Sequence, residues 1–584
     1  MTHRWVLPGA ATAACQRLAD QLQVSPLLAQ CLLNRGLETP ARAHAFLEPR
    51  LRSLADPARL PNLERAVERL WCARERGEPL VVFGDYDVDG VTATALLMRV
   101  LPPLGWHVAA YLPRRLDEGY GLTRAAAQAC LDQHPVPLLL AVDCGSTAVA
   151  TVAWLAQRGV EVIVLDHHQV AAPYPDAVAL VNPHLPATGA GDFRELSSVG
   201  VAFKLAHALV RRGRQTGLPA AARFDVRPLL DLVALGTIAD LVPLTGENRP
   251  LVTAGLTRLN QAPRPGIAAL RAVAGVTNPL GPIEVAFQLA PRLNAAGRLQ
   301  TAATALDLLL ADDLARAEPL AQALDASNRE RQAVERRIAE DLLPRLRARF
   351  NAATDYVLVE GDPHWHLGVV GIVASRVLQE FYRPTLILGG DGQHWRGSGR
   401  SIEGFDLAAA LRQCADLLVR HGGHAMAAGV TVEPGQIPAL RARLNALARA
   451  TLGPAGPQPT LRLDAEVGLA ELTPERLLEL ERLQPHGQGN PPVQLIARGV
   501  ALCRPPQRLG RDQRHLKLWV RQNQAACETL WWGGAHQPWP PARFDLAFAP
   551  QLHRFNGRQT VQLKLLDWRP VPGDAGTPEE KKLS

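Results

Sequence analysis

Short apolar runs alternate with helical patterns from residue 79 onward, and this alternation is the strongest constraint on the fold. Residues 79–83, 136–142 and 160–165 are short and rich in Val and Leu, which is typical of strands buried on both faces of a sheet. Helical patterns separate them, including residues 148–158, and residues 229–236 form a further buried segment. Strands and helices in this order predict an α/β domain built on a doubly wound parallel sheet.

Acidic residues and histidines follow apolar runs at four places. Because each cluster follows such a run, we expect each one at the carboxyl end of a strand, the edge at which open α/β sheets place their sites. The clusters lie in the segments GDYDVDG (84–90), VDCGS (142–146), LDHHQ (165–169) and GTIADLVP (236–243). Their side chains are Asp85, Asp87, Asp89, Asp143, Asp166, His167, His168 and Asp240.

The first cluster contains three closely spaced carboxylates. In an extended segment, alternation places Asp85, Asp87 and Asp89 on one side of the chain. Like charges this close repel strongly unless a cation neutralises them, which favours a metal site. The alternative is a calcium-binding Asp loop or a group of helix N-caps. An EF-hand does not fit, because it needs a preceding helix and a distal Glu, whereas this segment follows a predicted strand.

The other three clusters each have a structural alternative as well. Asp143 could cap the next helix, either histidine of the pair could be structural, and Asp240 could cap a turn before Pro243. Taken together, the carboxylates and imidazoles fit Mn²⁺, with Mg²⁺ as the harder alternative. Two such cations about 3.5–4 Å apart can clamp a phosphate between them. The clusters therefore predict a two-metal phosphoesterase.

These motifs, in this order, resemble those of the Asp-His-His (DHH) phosphoesterase superfamily. More closely, the chain is similar to the RecJ family of bacterial single-strand-specific exonucleases over roughly residues 60–570. The similarity extends to segments outside the clusters, namely RLDEGYGL (115–122), LSSVGVAFKLA (196–206), RLNAAGR (292–298), HLGVVGIVASR (366–376), GSGRS (397–401), HGGHAMAAG (421–429) and PHGQGNP (485–491). The resemblance implies a parallel-sheet DHH lobe, an α/β DHHA1 lobe joined to it by a long helical connector, and a C-terminal OB-fold β-barrel.

The resemblance also implies residue roles. Two divalent ions, Mn²⁺ or Mg²⁺, are expected on the side chains of Asp85, Asp87, Asp89, Asp143, His167, His168 and Asp240, with Asp166 supporting them. All of these ligands except Asp85 are also expected to be catalytic. Substrate phosphates are expected on Arg115, Arg298, Ser398, Arg400 and His424. Without the resemblance, GSGRS reads as a tight turn and HGGH as a helix cap with a structural histidine.

The expected domains follow the resemblance and the composition. They are an N-terminal helical region (1–70), a DHH catalytic domain (71–275), a helical connector (276–350), a DHHA1 substrate-binding domain (351–453), an OB-fold nucleic-acid-binding domain (454–572) and a disordered tail (573–584). By pattern alone, the connector could instead be a helix packed on one domain. In the OB-fold domain, Arg508, Arg511, Arg514, Lys517 and Arg521 are expected to contact phosphates. Trp531 and Trp532 could stack on bases or lie in the core.

Charge and cysteine content indicate the type of binding partner and the cellular compartment. The net charge of +7 favours a polyanionic partner. The eight cysteines are scattered, with no CxxC pair, so we expect a reduced, cytoplasmic protein. No apolar run is long enough for a signal peptide or a membrane span, so we also expect a soluble protein without a membrane partner. We also expect a monomer.

The resemblance implies the activity and the partners. The expected activity is 5′-to-3′ exonucleolytic hydrolysis of single-stranded DNA by a two-metal mechanism, releasing 5′-mononucleotides in recombination and repair. A single-strand-binding protein and a helicase are the implied partners. The alternative is a related DHH phosphoesterase acting on short oligonucleotides or cyclic dinucleotides. A noncatalytic DNA-binding protein of the same fold would have lost the metal carboxylates, which are all present here.

Overall fold

The computed structural model describes residues 3–9, 13–114, 117–186, 190–261, 263–277, 279–299, 301–390, 392–555 and 557–571. The described chain forms two compact units. One combines the residues up to Arg50 with those from Gln458 onward, and the other is Leu51–Pro457. The predicted disordered tail, 573–584, lies outside the described residues. None of the described helices is both long and apolar enough to cross a membrane.

The first lobe of the larger unit is built on a parallel sheet. The N-terminal elements that precede it are β1 (Arg4–Val6), α1 (Ala13–Leu22), α2 (Pro26–Asn34) and α3 (Pro40–Leu47). The lobe itself begins with α4 (Leu63–Arg76), β2 (Leu80–Gly84), α5 (Val88–Val100), β3 (Val108–Tyr111), α6 (Arg124–Gln133), β4 (Leu138–Val142), α7 (Val149–Ala156), β5 (Glu161–Leu165) and β6 (Ala179–Val181). All strand pairs are parallel, in the order β3-β2-β4-β5-β6. The predicted parallel sheet is confirmed.

A layer of helices completes this lobe. They are α8 (Ser198–Gln215), α9 (Pro219–Arg223), α10 (Leu230–Ala239), α11 (Asn248–Gln261), α12 (Pro265–Val273), α13 (Pro282–Glu284), α14 (Ala290–Leu299) and α15 (Ala303–Leu310), with a π-helical stretch, Val285–Leu289, between α13 and α14. The helices α5, α8 and α10 share one apolar core with the sheet. Since the sheet is covered by helices, its strands are continuous apolar runs.

Two local predictions were wrong. Residues 230–236 belong to helix α10, and residue 229 ends the 3-10 turn before it, so Asp240 follows a helix and not a strand. Every residue of α10 from Leu230 to Ile238 is buried, and a helix buried on all sides lacks the period that distinguishes it from a strand. The first cluster is also not extended throughout. Helix α5 begins at Val88, with Asp87 as its N-cap and Asp89 in its first turn.

A single helix of 36 residues, α16 (Leu314–Arg349), connects the two lobes of the larger unit. Its N-terminal part buries Ala317, Ala321 and Leu324 in the core of the first lobe. Its C-terminal part buries Leu342 and Leu346 against the second lobe. Because this helix contributes to both cores, residues 314–349 connect the two lobes and do not pack on one domain alone.

The second lobe contains a mixed sheet. Its elements are β7 (Leu358–Asp362), α17 (Val370–Phe381), β8 (Thr385–Gly389), β9 (Trp395–Arg400), α18 (Leu407–Arg412), β10 (Arg420–Gly423), β11 (Ala427–Val432) and α19 (Ile437–Leu452). The strand order is β10-β11-β9-β8-β7, and among these pairs only β7–β8 is parallel. Tyr356, Leu386 and Val430 lie in a core shared with α18 and α19.

The smaller unit is a closed β-barrel with helices packed against it. Its C-terminal elements are β12 (Thr460–Arg462), β13 (Ala465–Glu466), α20 (Pro474–Glu481), β14 (Leu495–Leu509), β15 (His515–Gln522), β16 (Ala525–Trp531), β17 (Arg543–Phe555) and β18 (Arg558–Pro570). The order is β13-β14-β15-β16-β18-β17, and the additional pairing of β14 with β17 closes the barrel. Leu28 and Leu32 of α2 share its apolar core, and β1 pairs with β12. The predicted C-terminal barrel is confirmed.

Candidate metal centre

The first three carboxylates lie at the junction of β2 and α5: one follows the strand, one caps the helix and one lies in its first turn. Asp85 directly follows β2 and is fully buried. Asp87 caps α5, and its Oδ1 accepts hydrogen bonds from the backbone N–H groups of Asp89 (3.0 Å) and Gly90 (3.2 Å). A Cβ at Gly90 would lie 2.6 Å from the carbonyl oxygen of Asp85, so only glycine allows this tight turn. The loop therefore holds its carboxylates in fixed positions.

The N-terminus of α8 contacts two of the buried carboxylates. Asp89 Oδ2 accepts a hydrogen bond from the backbone N–H of Ser198 at 2.6 Å, and its Oδ1 accepts one from the N–H of Val199 at 3.0 Å. The hydroxyl of Ser198 donates to Asp143 Oδ1 at 2.8 Å. Asp143 directly follows β4 and has a φ of 64°, which is unusual for a residue other than glycine. These contacts bring together the N-termini of α5 and α8 and the carboxyl end of β4.

Asp166, directly after β5, orients the histidine pair. Its Oδ1 lies 2.7 Å from Nδ1 of His168 and accepts the backbone N–H of His167 at 2.8 Å. Burial alone would raise the pKa of Asp166, but the hydrogen bond and charge of His168 lower it below the ordinary value. Burial alone would lower the pKa of His168, but Asp166 raises it to about 9. Asp166 thus supports His168 directly.

The imidazole of His167 lies among three carboxylates. Its Nε2 is 3.5 Å from Asp240 Oδ2, 3.6 Å from Asp143 Oδ1 and 3.9 Å from Asp89 Oδ2. Burial and the neighbouring charge of His168 lower the pKa of His167 to about 4. The ring is therefore neutral at pH 7, which leaves a nitrogen lone pair for a cation.

The seven proposed ligands lie close enough to share ions. Their ligand atoms form three groups, within each of which all atoms lie within 4.8 Å of one another: Asp85, Asp87 and Asp143; Asp89, His167 and Asp240; and Asp143, His167 and His168. Asp143 and His167 each belong to two groups. Asp143 Oδ2 and His167 Nε2 are buried, and neither has a hydrogen-bond partner within the described chain. Buried polar atoms normally have partners, so these two atoms fit a divalent ion.

The metal-free protein should lose stability as the pH rises. Burial and nearby carboxylates raise the pKa of Asp89 from 3.8 to about 7 and that of Asp240 from 3.8 to about 9. A carboxyl with a raised pKa in the folded state contributes stability that is present below its unfolded pKa and lost as the pH rises through its folded pKa. Divalent ions replace the protons, so Mg²⁺ should raise the Tm more at about pH 8.5 than at about pH 6. Thermal unfolding with Mg²⁺ or chelator measures this, and an equal Mg²⁺ effect at both pH values would contradict it.

Of the proposed substrate residues, Arg298 lies on α14 of the first lobe, and Ser398, Arg400 and His424 lie on the second lobe. His424 lines the same cavity of about 530 Å³ as His167 and His168. Arg298 of α14 donates to the carbonyl oxygen of Gly368 at 3.1 Å. On β9, Nη1 of Arg400 donates to Ser398 Oγ at 2.9 Å. Arg115 lies outside the described residues.

Three polar residues at the site were not among the predicted ones. Ser198 lies in LSSVG, where the pattern suggests nothing beyond a helix start. The hydroxyl of Tyr120 lies 3.2 Å from His168 Nε2. Asn182 follows β6 and donates to the carbonyl oxygen of His168 at 2.9 Å. Asn182 could have been predicted from the sequence, because it is a polar residue that directly follows a strand.

The barrel separates the two adjacent tryptophans. Trp531 is 7% exposed and lies in the core, whereas Trp532 is 54% exposed. The ring of His515 packs edge-on against Trp532, with ring centroids 4.7 Å apart. Arg504 and Lys517 lie over the ring of Trp519, at 5.4 and 5.3 Å from its centroid. The unit therefore presents an exposed indole and a tryptophan flanked by cations.

Comparison with known proteins identifies three family domains. The DHH family N-terminal domain matches residues 79–237, the DHHA1 domain matches residues 353–450, and the RecJ OB domain matches residues 463–567. RecJ of Bacillus subtilis (strain 168), a single-stranded-DNA-specific exonuclease, is 35% identical over 572 residues, which is 97% of this chain and 70% of the relative.

Solved structures give the same result. The crystal structure of RecJ with Mn²⁺ from Thermus thermophilus has a TM-score of 0.81 at 33% identity and covers 97% of this chain and 79% of that one. The Mg²⁺ complex from the same organism has a TM-score of 0.74 at 32% identity, covering 97% and 78%. The metals in these relatives are those predicted from the donor set of this chain. The identity, the coverage and the three domains together show that the chain belongs to the RecJ family of DHH-type exonucleases.

Proposed function

We propose that this chain hydrolyses single-stranded DNA from the 5′ end and releases 5′-mononucleotides, in DNA recombination and repair. The observation that carries the proposal is the convergence of Asp85, Asp87, Asp89, Asp143, His167, His168 and Asp240, whose ligand atoms lie in three overlapping groups. Family membership supports the substrate, because the RecJ of Bacillus subtilis is specific for single-stranded DNA. The 5′-to-3′ direction rests on the family resemblance.

Two divalent ions at these residues would activate the attacking water and neutralise charge on the phosphate. The residues of the chain do the rest. Asp166 fixes the ring of His168 by a 2.7 Å contact, and the neutral His167 offers Nε2 to the ions. On the second lobe, Arg400 offers a planar fork of N–H donors that suits two-point contact with a phosphate. His424 lines the cavity of the histidine pair, where a phosphate oxygen could accept its hydrogen bond.

The alternative is hydrolysis of short oligonucleotides or cyclic dinucleotides. A small substrate would not need the barrel that follows the two lobes, and the match of residues 463–567 to the RecJ OB domain favours a long strand. We also propose the domain bounds 1–70, 71–275, 276–350, 351–453, 454–572 and 573–584. The three matched segments fall inside the second, fourth and fifth of them.

Digestion of strands blocked at one end tests substrate and direction together. A long single strand with a free 5′ end should be degraded to mononucleotides in Mn²⁺ or Mg²⁺, and chelator should stop the reaction. A block at the 5′ end should protect the strand, whereas a block at the 3′ end should not. Degradation that starts at the 3′ end would contradict the direction. Faster cleavage of dinucleotides than of long strands would favour the alternative.

Replacing Trp532 by Ala should weaken binding of a long single strand. The exposed indole can stack on a base, and such stacking contributes about 1–3 kcal/mol per base, or at least about fivefold in Kd. Hydrolysis of a dinucleotide, which does not span the barrel, should be unchanged. Fluorescence anisotropy with labelled oligonucleotides measures the Kd. Trp539→Ala is the matched control, since Trp539 is 46% exposed in the segment between β16 and β17. An equal loss in both variants would contradict stacking at Trp532.

The partners and the setting are proposals as well. We propose that the chain acts as a monomer in the cytoplasm, together with a single-strand-binding protein and a helicase. All eight cysteines are free thiols, which suits a reducing compartment. Family membership supports the two protein partners.

A further inference from the structure

We infer that Ser198 is a positioning residue, which fixes the carboxylates of Asp89 and Asp143 in the orientation that binds divalent ions. The inference rests on the proposed metal-dependent function and adds a residue to it. Ser198 is the first residue of α8 and is fully buried. It lies on an element that carries none of the seven proposed ligands, so its contacts join separate parts of the site.

The backbone of α8 determines the orientation of Asp89. The N–H groups of Ser198 and Val199 donate to separate oxygens of this carboxylate, at 2.6 and 3.0 Å. Two bonds to adjacent N–H groups leave the carboxylate no freedom to rotate about its last torsion. The N-terminus of an 18-residue helix also carries partial positive charge, which favours the anion. Each oxygen of Asp89 retains a lone pair for an ion.

The hydroxyl of Ser198 determines the orientation of Asp143. It donates to Oδ1 at 2.8 Å, while Oδ2 is buried without a hydrogen-bond partner within the described chain. The hydroxyl therefore distinguishes the two oxygens: Oδ2 is left entirely for an ion, whereas Oδ1, which lies 3.6 Å from His167 Nε2, keeps one lone pair. Asp143 is 1% exposed, so solvent does not replace the hydroxyl at its surface. Because Asp143 belongs to two of the three ligand groups, its rotation would disturb both ion positions.

Helix capping does not account for the Ser198 hydroxyl. The N-cap of α8 is Ser197, whose side chain makes no capping hydrogen bond. The Ser197 hydroxyl lies 3.1 Å from Thr237 Oγ1 and is as buried as that of Ser198. The two neighbouring serines thus differ in one respect that matters here: only Ser198 donates to a proposed metal ligand. Ser197 is therefore a matched control.

Titration of Mn²⁺ into the metal-free, full-length protein tests the inference without measuring hydrolysis. Ser198→Ala should weaken Mn²⁺ binding by about 10- to 100-fold, the usual effect of losing a hydrogen bond to a metal ligand. Ser197→Ala removes the hydroxyl oxygen of the adjacent serine and should change the Mn²⁺ affinity by less than about twofold. Unfolding in chelator checks that both variants are folded. The Mn²⁺-induced rise in Tm should be smaller for Ser198→Ala than for Ser197→Ala.

The outcomes separate the inference from the function on which it rests. Equal Mn²⁺ affinity of Ser198→Ala and the wild type would overturn the role of Ser198 and leave the metal site intact. Equal losses in both alanine variants would also overturn it, because packing alone would then explain the effect. Failure of the wild type to bind Mn²⁺ would contradict the proposed function as well. Ser198→Thr retains a hydroxyl, and where its Tm in chelator matches the wild type, its affinity should recover. An affinity as weak as that of Ser198→Ala would again overturn the inference.

Discussion

Replacing Asp143 by Ala is expected to reduce hydrolysis of single-stranded DNA by at least about 1,000-fold. Its carboxylate belongs to two of the three ligand groups, so its loss should weaken both ion positions. Binding to a divalent ion lowers the pKa of water by several units. Loss of such an ion should therefore reduce the rate of hydrolysis far more than loss of one hydrogen bond does. Release of acid-soluble nucleotides from a long single strand measures the effect.

The fold should survive this substitution. Burial and the charges of neighbouring carboxylates raise the pKa of Asp143 well above its ordinary value, so its ionised form opposes folding in the metal-free protein. This gain opposes the loss of the Ser198 hydrogen bond and the strain of alanine at a φ of 64°, so the Tm in chelator should change little. Asp307→Ala removes an exposed carboxylate from α15 and controls for the change in net charge. Retention of hydrolysis in Asp143→Ala would show that this site is not catalytic.

Replacing Gly236 by Ala is expected to lower both the free energy of unfolding and the hydrolytic activity. A Cβ at Gly236 would lie 2.3 Å from Thr92 Oγ1, 2.8 Å from a methyl carbon of Val199 and 2.9 Å from Asp89 Oδ1. Overpacking of this kind costs about 1–3 kcal/mol. Here it should also displace Asp89 and the start of α8, so activity should fall by about 100-fold, as expected for a disturbed metal site.

Gly213→Ala separates the two effects. Gly213 is buried within α8, and its added Cβ would lie 2.5 Å from the side chain of Ala221, away from the carboxylates. Gly213→Ala should lower the Tm about as much as Gly236→Ala does. The activity of the folded Gly213→Ala protein should stay within about threefold of wild type, since no metal ligand moves. Thermal unfolding and initial rates at saturating Mg²⁺ measure both variants. Equal losses of activity would mean that Gly236 has no special relation to the site.

The prediction that site residues lie at the carboxyl ends of strands is correct where a buried strand is followed directly by a polar residue. Asp85, Asp143 and Asp166 each follow a strand of the parallel sheet, and the carboxyl ends of such strands meet at one edge. The apolar runs that precede them are visible in the sequence because both faces of the sheet are covered. The gathering of these residues was therefore predictable from pattern.

The same reasoning failed where burial removed the pattern. Asp240 was expected at a strand end and follows α10, because a helix buried on every side has no amphipathic period. The role of Ser198 depends on where α8 begins relative to α5 and β4, which no local sequence pattern predicts. The pairing of β1 with β12 joins residues more than four hundred positions apart, and local patterns are silent on such contacts. Long-range geometry decided each of these features.

Crystals grown with Mn²⁺ and measured at its absorption edge test the central claim most directly. The account predicts two anomalous peaks per chain, about 3.5–4 Å apart, both adjacent to Asp143 and His167, with Asp87 and Asp240 contacting one or the other. A single ion bound elsewhere on the chain, or no ion at these side chains at millimolar Mn²⁺, would contradict it.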